Sequence, residues 1–279
     1  MKHRKIQKNE LDLIFDLIKK HKWLLERDDE LKELLCECED TETQMLVCKL
    51  LHEFKYLYND NYYDAISQIA NKITTKWGLK EKTTQIVAFT ENAYEADSAL
   101  KIIYDLKIKI GEQGWKDVSY VNRYGACSKK IETSPDIVLV DEFIGSGKTV
   151  INRITNIKNN LKGHRFTIRV AVVSAMQNAI LRFMDNVNDI FVVHELKKGI
   201  SDNYTGVDFI RRCRQMIKLE NNLKQQIKDT FYPRFGYGKA QALYARENGN
   251  APNSVFPVFW WQEDKNGTTR NTILKRVEQ

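Results

Sequence analysis

Residues 137–150, IVLVDEFIGSGKTV, constrain this chain more than any other stretch. Four β-favouring residues end in two adjacent acids, Asp141 and Glu142. Two apolar residues follow, and then Gly145-Ser146-Gly147-Lys148-Thr149 opens a segment of helical pattern over residues 147–160. A strand that passes through a glycine turn into a helix is the repeating unit of an α/β sheet, and the turn lies at the carboxyl end, where such sheets bind ligands. The glycines let backbone N–H groups approach an anion closely. The new helix adds its unpaired N–H groups and the positive end of its dipole. Ser146 and Thr149 supply hydroxyls and Lys148 a charge, so the turn reads as a phosphate cradle. The acid pair would repel phosphate and suits neighbouring sugar hydroxyls or a metal ion. The plainer reading, a buried strand with a glycine turn, leaves two adjacent carboxylates to be satisfied inside a core.

The surrounding pattern agrees. Residues 85–90 (QIVAFT), 118–121, 136–141 (DIVLVD), 166–174 (FTIRVAVVS) and 190–194 (IFVVH) are short β-rich runs separated by helical stretches. Ala99, Ile102, Ile103 and Leu106 share one face of such a stretch, and residues 175–186 form another. The alternation predicts an α/β fold: a mostly parallel sheet with helices on both faces. The first 80 residues read as helical, with Leu46, Val47, Leu50, Leu51 and Phe54 at one spacing and Ile66, Ile69, Ala70 and Ile73 at another. Residues 206–228 read as one amphipathic helix. Val207, Ile210, Cys213 and Ile217 would point inward, and Arg211, Arg212, Arg214 and Lys218 would form either its wet face or a nucleic-acid stripe. The tail from Tyr232 (FGYGKAQ, NAPN, FPVFWW) reads as loops and strands packed onto the sheet. The expected division is a helical region over 1–80 and an α/β domain with an aromatic tail over 81–279.

Composition removes several classes. The net charge of +7, from 44 basic and 37 acidic residues, permits a phosphate-rich ligand or nucleic acid and demands neither. No apolar run nears the ~20 residues that span a bilayer, and no apolar segment follows the basic start to make a secretory signal. Five cysteines, with Cys36 and Cys38 two apart, fit no common zinc pair. They read as reduced thiols of a cytosolic, cytoplasmic protein.

GSGKT looks like the end of a Walker-type loop, G-x-x-x-x-G-K-[ST], but the first required glycine would fall on Glu142. An apolar strand, two acids, two variable residues and a small-residue loop instead resemble the phosphoribosyl pyrophosphate (PRPP) motif of type I phosphoribosyltransferases. The aromatic tail resembles phosphoribosyltransferase-like effectors of bacterial conflict, or anti-phage, systems. The resemblance implies that Asp141 and Glu142 act at the ribose 2′- and 3′-hydroxyls and that Gly145, Ser146, Gly147, Lys148 and Thr149 hold the 5-phosphate. It further implies PRPP as a ligand, Mg2+ carried with it, and phosphoribosyl transfer to an acceptor the sequence does not name. A defence-system protein or nucleic acid would be a partner. The alternative is a non-catalytic nucleotide-binding or regulatory module on the same fold. Gly145 stands where purine-salvage members carry an Asp, which argues against a hypoxanthine-type mechanism.

Further candidates come from position. Glu91 and Asn92 follow the first β-rich run, where the family places its pyrophosphate loop. Lys129 and Lys130 could reach a pyrophosphate, or form a solvated basic turn. His194 ends a β-rich run, and Phe235 and Tyr237 flank Gly236 in a glycine-rich loop; these three are acceptor-site candidates. Trp260 and Trp261 could stack on a base or fill a core.

Overall fold

A computed structural model describes residues 8–90 and 98–277. Helices α1 (Lys8–Lys20), α2 (Asp28–Cys36) and α3 (Thr41–His52) precede a short strand, β1 (Lys55–Leu57). Helix α4 (Asn59–Asn71) leads to β2 (Thr84–Ala88), α5 (Ser98–Glu112), β3 (Ser119–Val121), β4 (Asp136–Ile144) and α6 (Lys148–Asn160). Then come β5 (Thr167–Met176), α7 (Gln177–Phe183) and β6 (Asp189–Leu196). Helix α8 (Gly206–Glu220), a hairpin of β7 (Gln226–Ile227) and β8 (Thr230–Phe231), and β9 (Tyr244–Arg246) follow. Among the described residues no helix is long and apolar enough to cross a membrane.

The chain forms two compact units, Tyr58–Leu196 and Met1–Leu57 with Lys197–Gln279. This differs from the expected boundary near residue 80. Helix α4 belongs with the sheet, packing on α5 and β5, and its Tyr62 hydroxyl donates to the buried Asp105 carboxylate at 2.9 Å. The tail belongs with the first helices: β1 and β9 pair in parallel, Lys55 opposite Tyr244. Apolar spacing alone could not make this assignment, because α4 has the same period as the helices before it.

The first unit is built on a five-stranded parallel sheet in the order β3-β2-β4-β5-β6. From β2 the chain steps one way to β3; from β4 it steps the other way through β5 to β6. Right-handed crossovers therefore put α5 on one face and α6 and α7 on the other. The strands are covered on both sides, as continuous apolar runs require. Ile86, Val87, Val138, Leu139, Val140, Val170, Val172 and Val173 are wholly buried. Each large side chain so buried contributes about 1.5–3 kcal/mol. The strand order reverses between β2 and β4, so the crevice at their carboxyl ends is the topological switch point of the sheet.

In the second unit, α3 begins at Asp40, whose carboxylate accepts the Thr43 N–H at 2.7 Å. The helix buries Leu46, Val47, Leu50 and Leu51 as its period predicts. Three expectations from the sequence differ from the fold of this unit. The helix expected over 206–228 stops at Glu220, where Asn222 and Leu223 donate back to Leu219 and Glu220 in tighter i→i−3 bonds. Its inward face is also different. Val207 is 82% exposed, whereas Gln215, Met216, Leu219 and Glu220 are buried, because the 3.6-residue period admits a second stripe that the Val and Ile positions hide. The run FPVFWW is not a strand: Pro257 opens a 3-10 turn (Pro257–Phe259), consistent with its missing ladder donor. Trp260 and Trp261 both fill the core.

Candidate functional site

β4 carries the acid pair, but it does not stop there. It pairs with β2 as far as Val140, opposite Ala88, and then continues alongside β5, Asp141 opposite Val172 and Phe143 opposite Ser174. Successive strand residues face opposite sides of the sheet. The two acids therefore leave opposite faces, rather than forming the one-sided pair that adjacency suggests. Asp141 is half-buried and Glu142 only 6% exposed. Asp141 Oδ1 accepts the Glu142 N–H at 2.7 Å, which fixes the first carboxylate against its own backbone.

Only residues 145–147 lie between β4 and α6. A Walker loop needs a longer excursion before its helix, and here Glu142 sits inside the strand. Gly147 is the residue before α6 and has φ +75°. A Cβ there would stand 3.2 Å from both Cβ and carbonyl oxygen of Ala179 in α7. Glycine is thus favoured twice, by conformation and by the approach of α7. The same helix holds the turn from its other end: Arg182 Nη1 donates to the Ser146 carbonyl at 3.2 Å. Ser146 is buried, while Lys148 and Thr149 are exposed on the first turn of α6. The turn presents helix N–H groups, an ammonium and a hydroxyl, a donor set whose chemistry suits an anion.

A second feature at the carboxyl ends comes from the segment after β3. Tyr124 N–H donates to the Thr90 carbonyl at 3.2 Å, tying this segment to the end of β2. Gln85, buried in β2, donates from Nε2 to the carbonyls of Ser134 (2.6 Å) and Cys127 (3.3 Å). The segment so held borders a cavity of about 270 Å3 lined by Arg123, Tyr124, Gly125, Ala126 and Lys129. Tyr124 is braced by α6: its hydroxyl accepts from Asn156 at 3.3 Å, and the Arg153 guanidinium lies 5.6 Å from its ring centre. Two cations, Arg123 and Lys129, thus line one cavity near the switch point. Lys130 does not line it; its ammonium donates to Ser119 Oγ at 3.3 Å. Burial pushes the neighbouring Cys127 thiol up to about 11, so it stays protonated at neutral pH. Sequence reasoning missed Arg123, although RYGACSKK already groups it with the lysines.

The remaining candidates are scattered. Glu91 and Asn92 lie outside the described residues. His194 sits on the edge strand β6, in the cross-sheet row Phe143, Ser174, His194. Two strand spacings put its backbone roughly 10 Å from β4. Phe235 and Tyr237 belong to the other unit. Phe235 packs its ring edge-on against Phe256 at 6.2 Å and donates its N–H to the buried Glu220 at 2.9 Å. Tyr237 is 42% exposed.

A parallel sheet whose switch point gathers an acid-bearing strand end and a glycine turn defines a phosphoribosyltransferase-like α/β protein. The chain belongs to the PRTase-CE family, whose profile matches residues 31–276. Solved structures resemble it distantly. One is an orotate phosphoribosyltransferase from Aeropyrum pernix, at TM-score 0.33 and 11% identity over 49% of this chain and 72% of that one. A hypoxanthine-guanine phosphoribosyltransferase from Schistosoma mansoni in complex with IMP gives 0.34 and 14% over 50% and 65%. A hypothetical protein from Neisseria gonorrhoeae with bound ppGpp gives 0.35 and 10% over 58% and 96%. No curated protein matches the chain.

Proposed function

We propose that the sheet unit binds PRPP and transfers its phosphoribosyl group to a nucleophile on a second molecule. The observation that carries this reading is the meeting, at the switch point, of the Asp141-bearing end of β4 and the glycine-capped start of α6. In this reading the 5-phosphate lies on the first turn of α6, held by N–H groups, Lys148 and Thr149. Asp141, the more accessible acid, accepts the ribose hydroxyls, and Glu142 fixes the strand end from the buried face. The pyrophosphate lies toward Arg123 and Lys129. The bond from ribose C1 to pyrophosphate oxygen breaks, pyrophosphate leaves with the electron pair, and the nucleophile bonds to C1 and gives up its proton to water or to the departing pyrophosphate. Positive charge develops on the sugar beside a fixed carboxylate, and negative charge develops on the leaving group beside two cations.

Magnesium fits the donor chemistry here. Among the described residues no group of three or more His, Cys, Asp or Glu side chains could hold a metal. Carboxylate oxygens such as those of Asp141 are nonetheless the hard donors Mg2+ takes alongside substrate phosphates and water. Bound with PRPP, Mg2+ would neutralise charge on the departing pyrophosphate. On the sheet unit, His194 is the side chain proposed to meet the acceptor. The PRTase-CE membership and the aromatic tail support a role as a cytoplasmic effector of a bacterial defence system, with a protein or nucleic-acid partner.

The test is incubation with PRPP and Mg2+, with and without a mixture of nitrogen nucleophiles, while pyrophosphate is measured. Release that depends on an acceptor and falls about tenfold or more in Arg123→Ala is expected, because a charge-assisted contact to the leaving group is lost. Absence of both release and PRPP binding by the folded protein would refute the proposal.

A further inference from the structure

We infer that the tail holds a second ligand site, for a small aromatic anion: a planar ring carrying a phosphate or a carboxylate. A cavity of about 230 Å3 opens beside the β7–β8 hairpin. Trp260, Trp261, Ile227 and Val277 supply its apolar lining, and Lys228, Gln262 and Arg276 its polar lining. Among the described residues that line it there are two cationic side chains and no carboxylate.

The two tryptophans differ in one respect. Trp260 donates its indole N–H to the Val255 carbonyl at 3.0 Å. Trp261, 1% exposed, has its indole N–H buried without an acceptor. A buried indole N–H ordinarily finds a partner, and this one belongs to a residue that lines the cavity. Arg276 is held in place for a flat ligand. Its guanidinium lies 5.1 Å from the Trp260 ring centre, one of its nitrogens donates to the Ala251 carbonyl at 2.6 Å, and its own carbonyl accepts from Gln262 at 2.9 Å. Lys228 occupies the hairpin turn with φ +49°, and its carbonyl accepts from Gln226 at 2.8 Å.

The planar Arg276 guanidinium, backed by the Trp260 ring, favours a planar ring on its other side. An ammonium and an orphan N–H favour an anionic oxygen. The volume falls below the ~300–1,000 Å3 typical of drug-sized ligand pockets, so it suits one ring system with one anionic group. The site lies wholly in the unit formed by the first helices and the tail, and it does not depend on the sheet binding PRPP.

The experiment is calorimetric titration of the full chain with a nucleoside 5′-monophosphate and with 2-naphthoate, using inorganic phosphate and acetate as ringless controls. Each titration is repeated in Asp141→Asn, which disables the proposed sheet site, and in Lys228→Asn. Asn tolerates the left-handed turn while removing the charge; Lys228→Gly is the second variant should Lys228→Asn fold poorly. Binding of 2-naphthoate, or of the monophosphate to Asp141→Asn, in which the proposed sheet site is disabled, is expected, and it should be about tenfold weaker in the Lys228 variant. Which of the two binds identifies the anionic group. No aromatic anion bound, equal binding by the ringless anions, binding abolished in Asp141→Asn, or binding unmoved by the Lys228 variants would each overturn the inference.

Discussion

Two glycines and one glutamate show how far single residues determine this protein. At Gly147, alanine would have to hold φ +75° and press its Cβ to 3.2 Å from Ala179. The left-handed conformation alone costs roughly 1–2 kcal/mol, so Gly147→Ala should lower stability by at least that much in urea unfolding and weaken phosphate binding through a displaced turn. Gly236 is stricter: a Cβ there would sit 2.0 Å from the Ser254 carbonyl oxygen, a backbone atom that cannot swing aside. Gly236→Ala should therefore cost about 3 kcal/mol or more, read as a large drop in melting temperature. Glu220 predicts a pH dependence. Burial pushes its carboxyl up to about 8, against the opposing Phe235 N–H and the Arg234 guanidinium 3.9 Å away. The unfolded chain releases that proton near the ordinary value of about 4.3. Over the window between those values the unfolded state binds fewer protons, so this residue makes stability fall as pH rises and adds no slope above about 8. Glu220→Gln should flatten the decline in denaturant unfolding between pH 5 and pH 8; an unchanged slope would show that other groups cause it.

Elements were legible in the sequence where one chemical pattern stood alone, and illegible where two competed. The strands of the parallel sheet are continuous apolar runs, and their positions follow from that. The span of residues 141–149 was readable because strand, acids, turn and helix start are contiguous. The direction of each acid was not, because β4 continues to Ile144 and alternation then separates neighbours. The inward face of α8 was misread because Val207 and Ile210 look like core while Gln215 and Glu220 do not. The cavity with Arg123 is made by a segment held to β2 through Gln85, a long-range bond no local pattern announces. The contact between α7 and the turn over residues 145–147 is of the same kind, and it is testable. Arg182→Ala removes the bond to the Ser146 carbonyl, worth about 1–3 kcal/mol as a charge-assisted contact. PRPP binding should weaken severalfold while far-ultraviolet circular dichroism stays unchanged. Unchanged binding would show that Gly147 and Ala179 suffice to hold the turn.

At the scale of the molecule, chain order and spatial order diverge. Residues 1–57 and 197–279 form one unit although the whole sheet unit lies between them in sequence. Phe54 meets Phe259 edge-on at 5.6 Å, and Leu50 and Phe256 both crowd Gly199. Removing residues 1–57 should therefore bare the aromatic tail and produce aggregation or increased binding of a hydrophobic dye. Clean, soluble behaviour of the shortened chain would contradict this shared core. In the sheet unit, we propose, the Asp141 end of β4 and the start of α6 together form a PRPP site. Its most direct measurement is calorimetric titration of Mg2+-PRPP into the parent protein and into Asp141→Asn of equal melting temperature. Saturable binding by the parent and none detectable in the variant is expected; equal binding by the two would contradict a PRPP site at Asp141.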